Sequence, residues 1–581
     1  MSAVRLFRNF RLAAATVLEH AGGDPAVLAL QAARRLPSAV VDPAARAAAA
    51  MPGVLLPAMS DVVRGNPEAA RLRMQKAAEA GPRARTAVRL ADVATAAGYP
   101  ELAGTFLESV PSTAPGRAAA AARLAWHRGE MTAAVGMLAG GTGAERRFRE
   151  RLDSELSVFQ GWEPTLASVP GYRGRSSTVL HLLTNSLPHT GSGYAQRSHS
   201  LLKAQSEQGW EVHAVTRVGY PVQVGLLTAS ARDVIDGVTY HRLLPAALPR
   251  GMAARLQLQA EELLNLALRL RPAVLHTTTH FVNGLVVRAV AEALGIPWVY
   301  EVRGQLADTW ASTRGPEARN SERYRLFTER EVHVMRSAGA VATLGQTMLD
   351  GISAAGIPAE KTLLLPNAVG DDFLSDPLSA QDARRSLGLP VSGPVLGTVS
   401  SLVSYEGIDD LLRAFAVLAP GYPELLCLIV GDGAAAPALK KLAAELGVGD
   451  RVVFTGRVPR HQARLHHQAI DIFVVPRKDL DVTRAVTPLK PVEAMACARP
   501  VAASDLPALA ELVLDGRDGV LARPGDPAHL ADRLKTLIED PDLRARMGSA
   551  GRTKVLAERT WAAVALRSDA LYGSLTGGRK A

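Results

Sequence analysis

Residues Thr483-Arg484-Ala485-Val486-Thr487-Pro488-Leu489-Lys490-Pro491-Val492-Glu493-Ala494-Met495-Ala496-Cys497-Ala498-Arg499-Pro500-Val501-Ala502-Ala503-Ser504 place a lysine and a glutamate three positions apart at a loop-to-helix junction, followed by a short apolar strand. A helix start offers free backbone N–H groups to phosphate, and a carboxylate one turn in accepts from ribose hydroxyls. The segment reads as a nucleotide-sugar site. An ordinary helix start with a solvated Lys-Glu pair is the plainer alternative.

Around this segment, apolar runs of strand length alternate with helical stretches. Val395–Ser400, Leu425–Val430, Val452–Thr455, Ile472–Pro476, Pro500–Ser504 and Gly519–Ala522 form one set, interleaved with helices such as Ala436–Leu446. An earlier set comprises Thr178–Thr184, Glu211–Thr216, Val238–Leu243, Ala273–Thr278, Trp298–Val302, Ala340–Leu344 and Thr362–Leu365. These runs are flat rather than alternating, as expected where helices cover both faces of a parallel sheet. The pattern predicts an α/β chain with two doubly wound, Rossmann-like domains, residues 176–380 and 390–557. Their carboxyl strand ends should face a shared, ligand-binding cleft.

Residues 1–170 carry helical patterns and almost no strand signal. Val93, Gly98, Ala103, Phe106 and Leu107 recur as Leu124, Gly129, Ala134, Met137 and Leu138, an offset of 31 residues that suggests a tetratricopeptide-like extension. It would either bind a protein partner or cover one face of the domain that follows. A last helix, residues 558–581, is expected to return to the first sheet domain.

The 581 residues are 48% hydrophobic and 21% charged, ordinary for a globular protein. The formal charge of +10 is spread along the chain without interleaved aromatics, which argues against nucleic acid and for small anions or an anionic surface. Val4–Leu12 reads as a basic amphipathic helix that either touches a membrane or packs as the first helix of a domain. No apolar run approaches membrane-spanning length, no cleaved leader is evident, and Cys427 and Cys497 have no metal spacing. A reduced, cytoplasmic setting is expected, with peripheral contact at the inner membrane face as an addition.

The first β-to-α turn holds Gly191-Ser192-Gly193 ahead of a helix beginning near Tyr194, so its backbone can approach an anionic ligand. Gln196 stands where a dinucleotide fingerprint wants glycine, although Glu211 occupies the place of a ribose acid. Arg303, just past a buried strand, suits a phosphate held in a planar fork or a salt bridge to Glu301 or Asp308. Gly407, Gly431, Gly433 and Gly456 stand at successive strand ends and predict a shallow floor for a base and ribose.

Taken in order, Ser192-Gly193-Tyr194, Tyr300-Glu301-Val302-Arg303-Gly304, Pro366-Asn367-Ala368-Val369, Tyr405-Glu406-Gly407, Val430-Gly431-Asp432-Gly433, Thr487–Ala496 and Asp515–Leu521 resemble the retaining glycosyltransferases of family 4, which have the GT-B fold. The resemblance covers about Ser176 to Leu575, and Tyr-Glu-Gly with Thr-Pro-Leu-Lys marks a subgroup. It implies a metal-independent enzyme without a cofactor, moving a sugar with retention from a UDP- or GDP-type donor to a polysaccharide, lipid-linked or small-molecule acceptor. Glu493 would bind the ribose and Lys490 the diphosphate or sugar, with Arg303 in the catalytic set. Gly456, Arg457 and Val458 would line the base, Gly191 to Gly193 would lie near the diphosphate, and Ser401, Tyr405, Gly407, Gly431, Gly433, Arg477, Pro488 and Leu489 would complete the donor site.

Three departures from the pattern, at four positions, stand out. Ala485 replaces the first acid of Glu-x7-Glu, with Arg484 beside it. Glu406 and Ser400 replace a lysine and an arginine. Arg303 stands where a histidine is frequent. Arg303, Arg477 and Lys490 are the residues available to replace the lost charge. Asp479-Leu480-Asp481 is a literal Asp-x-Asp beside three basic residues, a weak metal signal. His276, His280 and His189 sit near strand ends, with His276 read as buried, and Arg323, Arg325 and Arg330 read as a solvated helix face. A non-catalytic nucleotide-sugar scaffold or sensor and a dinucleotide-dependent enzyme are the competing readings.

Overall fold

The computed structural model describes residues 3–23, 26, 30, 33 and 38–578; the rest of the expected first and last regions lies outside them. Up to Phe159 the elements formed by the described residues are all helices. Two helical hairpins, Ala84–Ala97 with Pro100–Glu108 and Arg117–Arg128 with Met131–Gly136, each turn on a left-handed glycine, Gly98 and Gly129. Glycine is required there because a side chain strains that backbone region. Val93, Ala103, Phe106 and Leu107 are buried, as are Leu124, Ala134 and Leu138, whereas Met137 is 44% exposed, so the second hairpin does not reproduce the core position of Phe106.

The first sheet has eight strands: β1 Arg175–Leu183, β2 Glu211–Thr216, β3 Arg232–Ile235, β4 Val238–Arg242, β5 Pro272–Thr278, β6 Trp298–Val302, β7 Ala340–Thr343 and β8 Thr362–Leu364. Their order is β3-β4-β2-β1-β5-β6-β7-β8, parallel except for the β3–β4 pair. The second has six: β9 Val395–Val399, β10 Leu426–Val430, β11 Val452–Gly456, β12 Ile472–Val475, β13 Val501–Ser504 and β14 Gly519–Ala522, ordered β11-β10-β9-β12-β13-β14 and all parallel. Strands β6, β7, β12 and β13 are buried along their whole length because helices cover both faces. Chain order reverses beside β1 in one sheet and beside β9 in the other, the places where such sheets open a crevice.

Strand β3 was not anticipated. It is a short, half-exposed edge that turns back through Asp236 and Gly237, both at positive φ, into β4. Asp-Gly between short runs is the hairpin signal that marks it.

The helical region shares a core with the first sheet. Phe159, Phe281 and Phe327 meet edge to face with centroids 5.1 to 5.8 Å apart. The solvated face expected for Glu322–Ser337 is corrected at two positions. Arg330 is buried and pairs with Glu163 at 2.8 Å. Arg323 pairs with Glu155 at 3.4 Å and lies over Trp126, Phe159 and Trp310. Only Arg325 is solvated, paired with Glu329 one turn along. A charged stripe is thus consumed by the seam to the helical region.

The chain crosses between the sheets twice, side by side: Val369 donates to Arg559 O, and Trp561 N donates back to Val369 O. The helix Trp561–Thr576 then lies against Gly193–Glu207 of the first sheet domain, where Gln205 donates to Tyr572 Oη and Ser568 Oγ.

Candidate functional site

Between the two sheets lies a cleft of about 830 Å³, walled by residues that follow the carboxyl ends of β1, β6, β7, β8, β9, β10, β11 and β12. Of the residues singled out in the sequence, it is lined by Gly191, Ser192, Gly193, Arg303, Ser401, Gly431, Arg457, Val458, Arg477, Pro488, Leu489, Lys490 and Glu493. Tyr405, Gly407, Gly433 and Gly456 stand outside the lining, so the expected glycine floor is reduced to Gly431. Gly407 and Gly433 serve the backbone instead: a Cβ would run into Pro476 O at the first and Leu402 O at the second. Gly456 O accepts from Gly431 N and fixes the neighbouring strand end.

On the second-domain side, Lys490 opens the helix Lys490–Ala496, but its partner is not Glu493. Lys490 Nζ donates to Ser400 Oγ at 2.6 Å and to Glu406 Oε1 at 2.8 Å. Arg477, past β12, donates to both oxygens of Glu406, Nη2 at 3.1 Å and Nε at 3.3 Å, and through Nη1 to Val486 O at 3.0 Å. Burial alone would raise the Glu406 carboxyl, but Lys490 and Arg477 hold it below its ordinary value. Burial lowers the Lys490 ammonium, and Glu406 works against that. The two residues that looked like lost cations, Ser400 and Glu406, are therefore the acceptors that hold the cations present.

Glu493 lies on the same helix, one turn on, with its carboxylate 3.4 Å from the buried His467 imidazole. Ala485 is buried on the short helix Asp481–Ala485, and Arg484 pairs with Asp479, so it does not replace the missing acid. Asp481 pairs with Arg319, leaving both carboxylates of Asp-x-Asp engaged by arginine. Among the described residues no group of three or more His, Cys, Asp or Glu is placed to hold a metal ion.

On the first-domain side, Ser192 caps the helix Gly193–Glu207 through Ala195 N at 3.3 Å, and a Cβ at Gly191 or Gly193 would meet nothing within 4 Å. The fully buried Glu301 accepts from Arg303 Nη2 at 2.6 Å and from Arg197 Nε at 3.2 Å. Of the two alternatives for Arg303 the salt bridge is formed, to Glu301 rather than Asp308, and the side chain also lines the cleft. Arg303 further donates to Ser198 Oγ at 2.7 Å. Burial would raise the Glu301 carboxyl, but Arg303 and Arg197 keep it well below the usual carboxylate range. Arg197 Nη1 also reaches Asn367 Oδ1 at 3.1 Å, and Asn367 Nδ2 donates at 2.9 Å to Thr487 O in the loop before Lys490. Glu511 accepts from Gln346 N at 2.6 Å and ties the same two domains elsewhere.

The histidines take no place in the cleft lining. His276 is buried with Nδ1 2.5 Å from Tyr572 Oη, His280 packs on Phe281 and Phe327 with burial lowering it to about 3, and His189 pairs with Asp233 at 3.1 Å. Sequence reading missed Arg197, Asp372 and Arg460 as lining residues. Arg197 had a usable signal, since it stands one turn past Tyr194 on the helix that starts at the glycine turn.

Residues 192–368 match the family model of the glycosyl transferase 4-like domain, and residues 379–554 match that of glycosyl transferases group 1. The two sheet domains are thus glycosyltransferase domains. The chain is 34% identical over 36% of its length to the GDP-mannose-dependent alpha-(1-6)-phosphatidylinositol monomannoside mannosyltransferase of Mycolicibacterium smegmatis, 55% of which is covered. It is 28% identical to the D-inositol 3-phosphate glycosyltransferase of Stackebrandtia nassauensis, over 70% of this chain and 91% of that one. The chain spans about half the length of several curated relatives, including the first of these two. Among solved structures, the sucrose-phosphate synthase of Thermosynechococcus elongatus superposes with a TM-score of 0.57 at 22% identity, covering 69% of this chain and 99% of that one. Anabaena HepE in complex with UDP gives 0.55 at 19% identity, covering 68% and 100%. The fold is GT-B, and among the described residues no helix is long and apolar enough to cross a membrane.

Replacing Glu301 by glutamine leaves Arg197 and Arg303 buried without a counter-charge, and breaking such a pair costs about 3–5 kcal/mol. Because the Glu301 carboxyl is depressed on folding, its contribution is present above the ordinary carboxylate value of about 4.3 and is lost as pH falls through the depressed one. Chemical denaturation should therefore show a large wild-type advantage over Glu301→Gln at pH 7 that shrinks on acidification. An equal gap at every pH would contradict the ionised assignment.

Proposed function

We propose that the chain is a retaining, metal-independent glycosyltransferase that moves a sugar from a UDP- or GDP-type donor to a polysaccharide, lipid-linked or small-molecule acceptor. The observation that carries this is the convergence of Lys490 and Arg477 on Glu406 at the second sheet's reversal point, one helical turn from Glu493, on the wall of a cleft shared with the Gly191–Gly193 turn.

In this reading the diphosphate lies against Lys490 and Arg477, and Glu493 accepts from the ribose hydroxyls. The bond between the anomeric carbon and the β-phosphate oxygen breaks, and a new bond to the acceptor oxygen forms on the same face. The acceptor proton passes to the departing diphosphate. Such a step asks the protein for preorganised positive charge at the leaving group rather than for a nucleophile. The engagement of Asp479 and Asp481 by arginines supports charge supplied by side chains instead of a metal. Arg303 and the start of the Gly193–Glu207 helix face the same space from the acceptor side. The two named relatives act on inositol-containing acceptors, which makes a polyol or a lipid headgroup the first class to try.

The helix Ala3–Gly23 supports the membrane part of the reading. Asn9 and Leu12 are fully buried, and Asn9 Nδ2 donates to Leu227 O at 2.8 Å, beyond the carboxyl end of β2. Its opposite face exposes Leu6, Phe7 and Phe10 by 42, 65 and 59%, next to the exposed Arg11. Aromatic side chains bordered by arginine suit an anionic bilayer surface on the acceptor side of the cleft.

Three measurements test this reading. With a panel of nucleoside diphosphate sugars, the full chain should form a product of unchanged anomeric configuration by NMR, in the presence of a chelator. Lys490→Ala should lower kcat by about 10²–10³, the loss typical of one oxyanion-stabilising group. Transfer left intact in both Lys490→Ala and Glu493→Ala would sink the site assignment. Phe7→Ser/Phe10→Ser should lose co-sedimentation with anionic phosphatidylglycerol vesicles while transfer to a soluble acceptor is kept; unchanged sedimentation would remove the membrane contact.

A further inference from the structure

We infer that Glu406 is a positioning residue of the donor site: from beneath the cleft it holds the Lys490 ammonium and the Arg477 guanidinium together and keeps Lys490 charged for the departing diphosphate. This rests on the reading of the cleft as a nucleotide-sugar site and assigns that site its own way of supplying positive charge.

The geometry is specific to that task. Glu406 is 5% exposed and comes from the loop after β9, whereas Arg477 follows β12 and Lys490 begins the helix Lys490–Ala496, so one carboxylate joins the three segments at the sheet's reversal point. The Glu406 backbone is fixed by the following Gly407, which sits at φ 69 against Pro476 O, one residue before Arg477. The hydrogen-bond inventory leaves capacity for a ligand. Of the three donors on Lys490, Ser400 and Glu406 use two. Of the five on Arg477, Glu406 and Val486 O use three. One N–H of Lys490 and two of Arg477 remain uncommitted among the described residues, and both side chains line the cleft while Glu406 does not.

Without the carboxylate, a half-buried ammonium would stand beside a guanidinium. The charged and polar groups facing Lys490 are Glu406 and Ser400 from the β9 loop, Arg477 from the β12 end and Glu493 from its own helix. Burial and Arg477 both favour loss of the Lys490 proton, and Glu406 is the leading opposing charge. Glutamine in its place keeps the shape but removes the charge, and its amide group turns N–H donors toward at least one cation.

The test is the pH dependence of kcat for the full chain with its nucleoside diphosphate sugar. In Glu406→Gln the basic limb should move to lower pH, so that the ratio of variant to wild-type kcat falls by about tenfold per pH unit between the variant's limb and the wild-type one. Glu406→Asp, which retains the charge, should keep the limb close to wild type. A carboxylate that served only packing would lower kcat equally at all pH values, and coincident limbs in wild type and Glu406→Gln would overturn the inference while leaving the glycosyltransferase reading intact. Lys490→Arg supplies a second test that needs no change at Glu406: guanidinium does not titrate in this range, so the wild-type basic limb should disappear. Its persistence would also overturn the inference. A wild type that neither binds a nucleoside diphosphate nor turns over its sugar would overturn both readings.

Discussion

Cations that stabilise a diphosphate work best in a dry cleft, yet a dry cleft penalises every charge within it. Burying an ion without a partner costs several kcal/mol, so positive groups can be concentrated there only if counter-charges are built in. Each sheet domain meets this constraint in the same way. Glu301 sits between Arg197 and Arg303 on one side, and Glu406 sits between Lys490 and Arg477 on the other. Each group of three retains one net positive charge and shows it to the same cleft.

The two groups differ in what they are attached to. Glu301 and its arginines are bound into the first domain's interior, with Arg197 extended to the backbone of residues 365 and 366 and to Asn367. Asn367 then reaches Thr487 O, so the arginine network of one domain touches the loop that presents Lys490 in the other. The domain crossing at Val369 and Arg559 lies immediately beyond. This line of hydrogen bonds joins the arginines on one wall of the cleft to the loop on the other.

Much of this was legible in the sequence because parallel strands covered on both faces are written as unbroken apolar runs, and the glycine turn and the Lys490–Glu493 helix start follow from local rules. What was not legible depended on contacts between distant segments. Arg323 and Arg330 look like a wet face on their own helix, and only the approach of Glu155 and Glu163 from the helical region makes them a seam. Glu406 and Ser400 read as lost cations because a one-dimensional comparison shows which charge is missing, not which neighbour arrives to replace it. Gly407 and Gly433 read as floor when the backbone of adjacent loops needed their space. The edge strand β3 is only four residues long, polar at Arg232 and Asp233, and shows itself only through its turn.

The central claim is that the cleft holds a nucleoside diphosphate through Lys490 and Arg477 over Glu406. A crystal structure of the full chain with a bound nucleoside diphosphate tests it directly. The account predicts phosphate oxygens about 3 Å from Lys490 Nζ and from the uncommitted N–H groups of Arg477, with both residues still bonded to Glu406. A diphosphate bound elsewhere, or held without either cation, would contradict it.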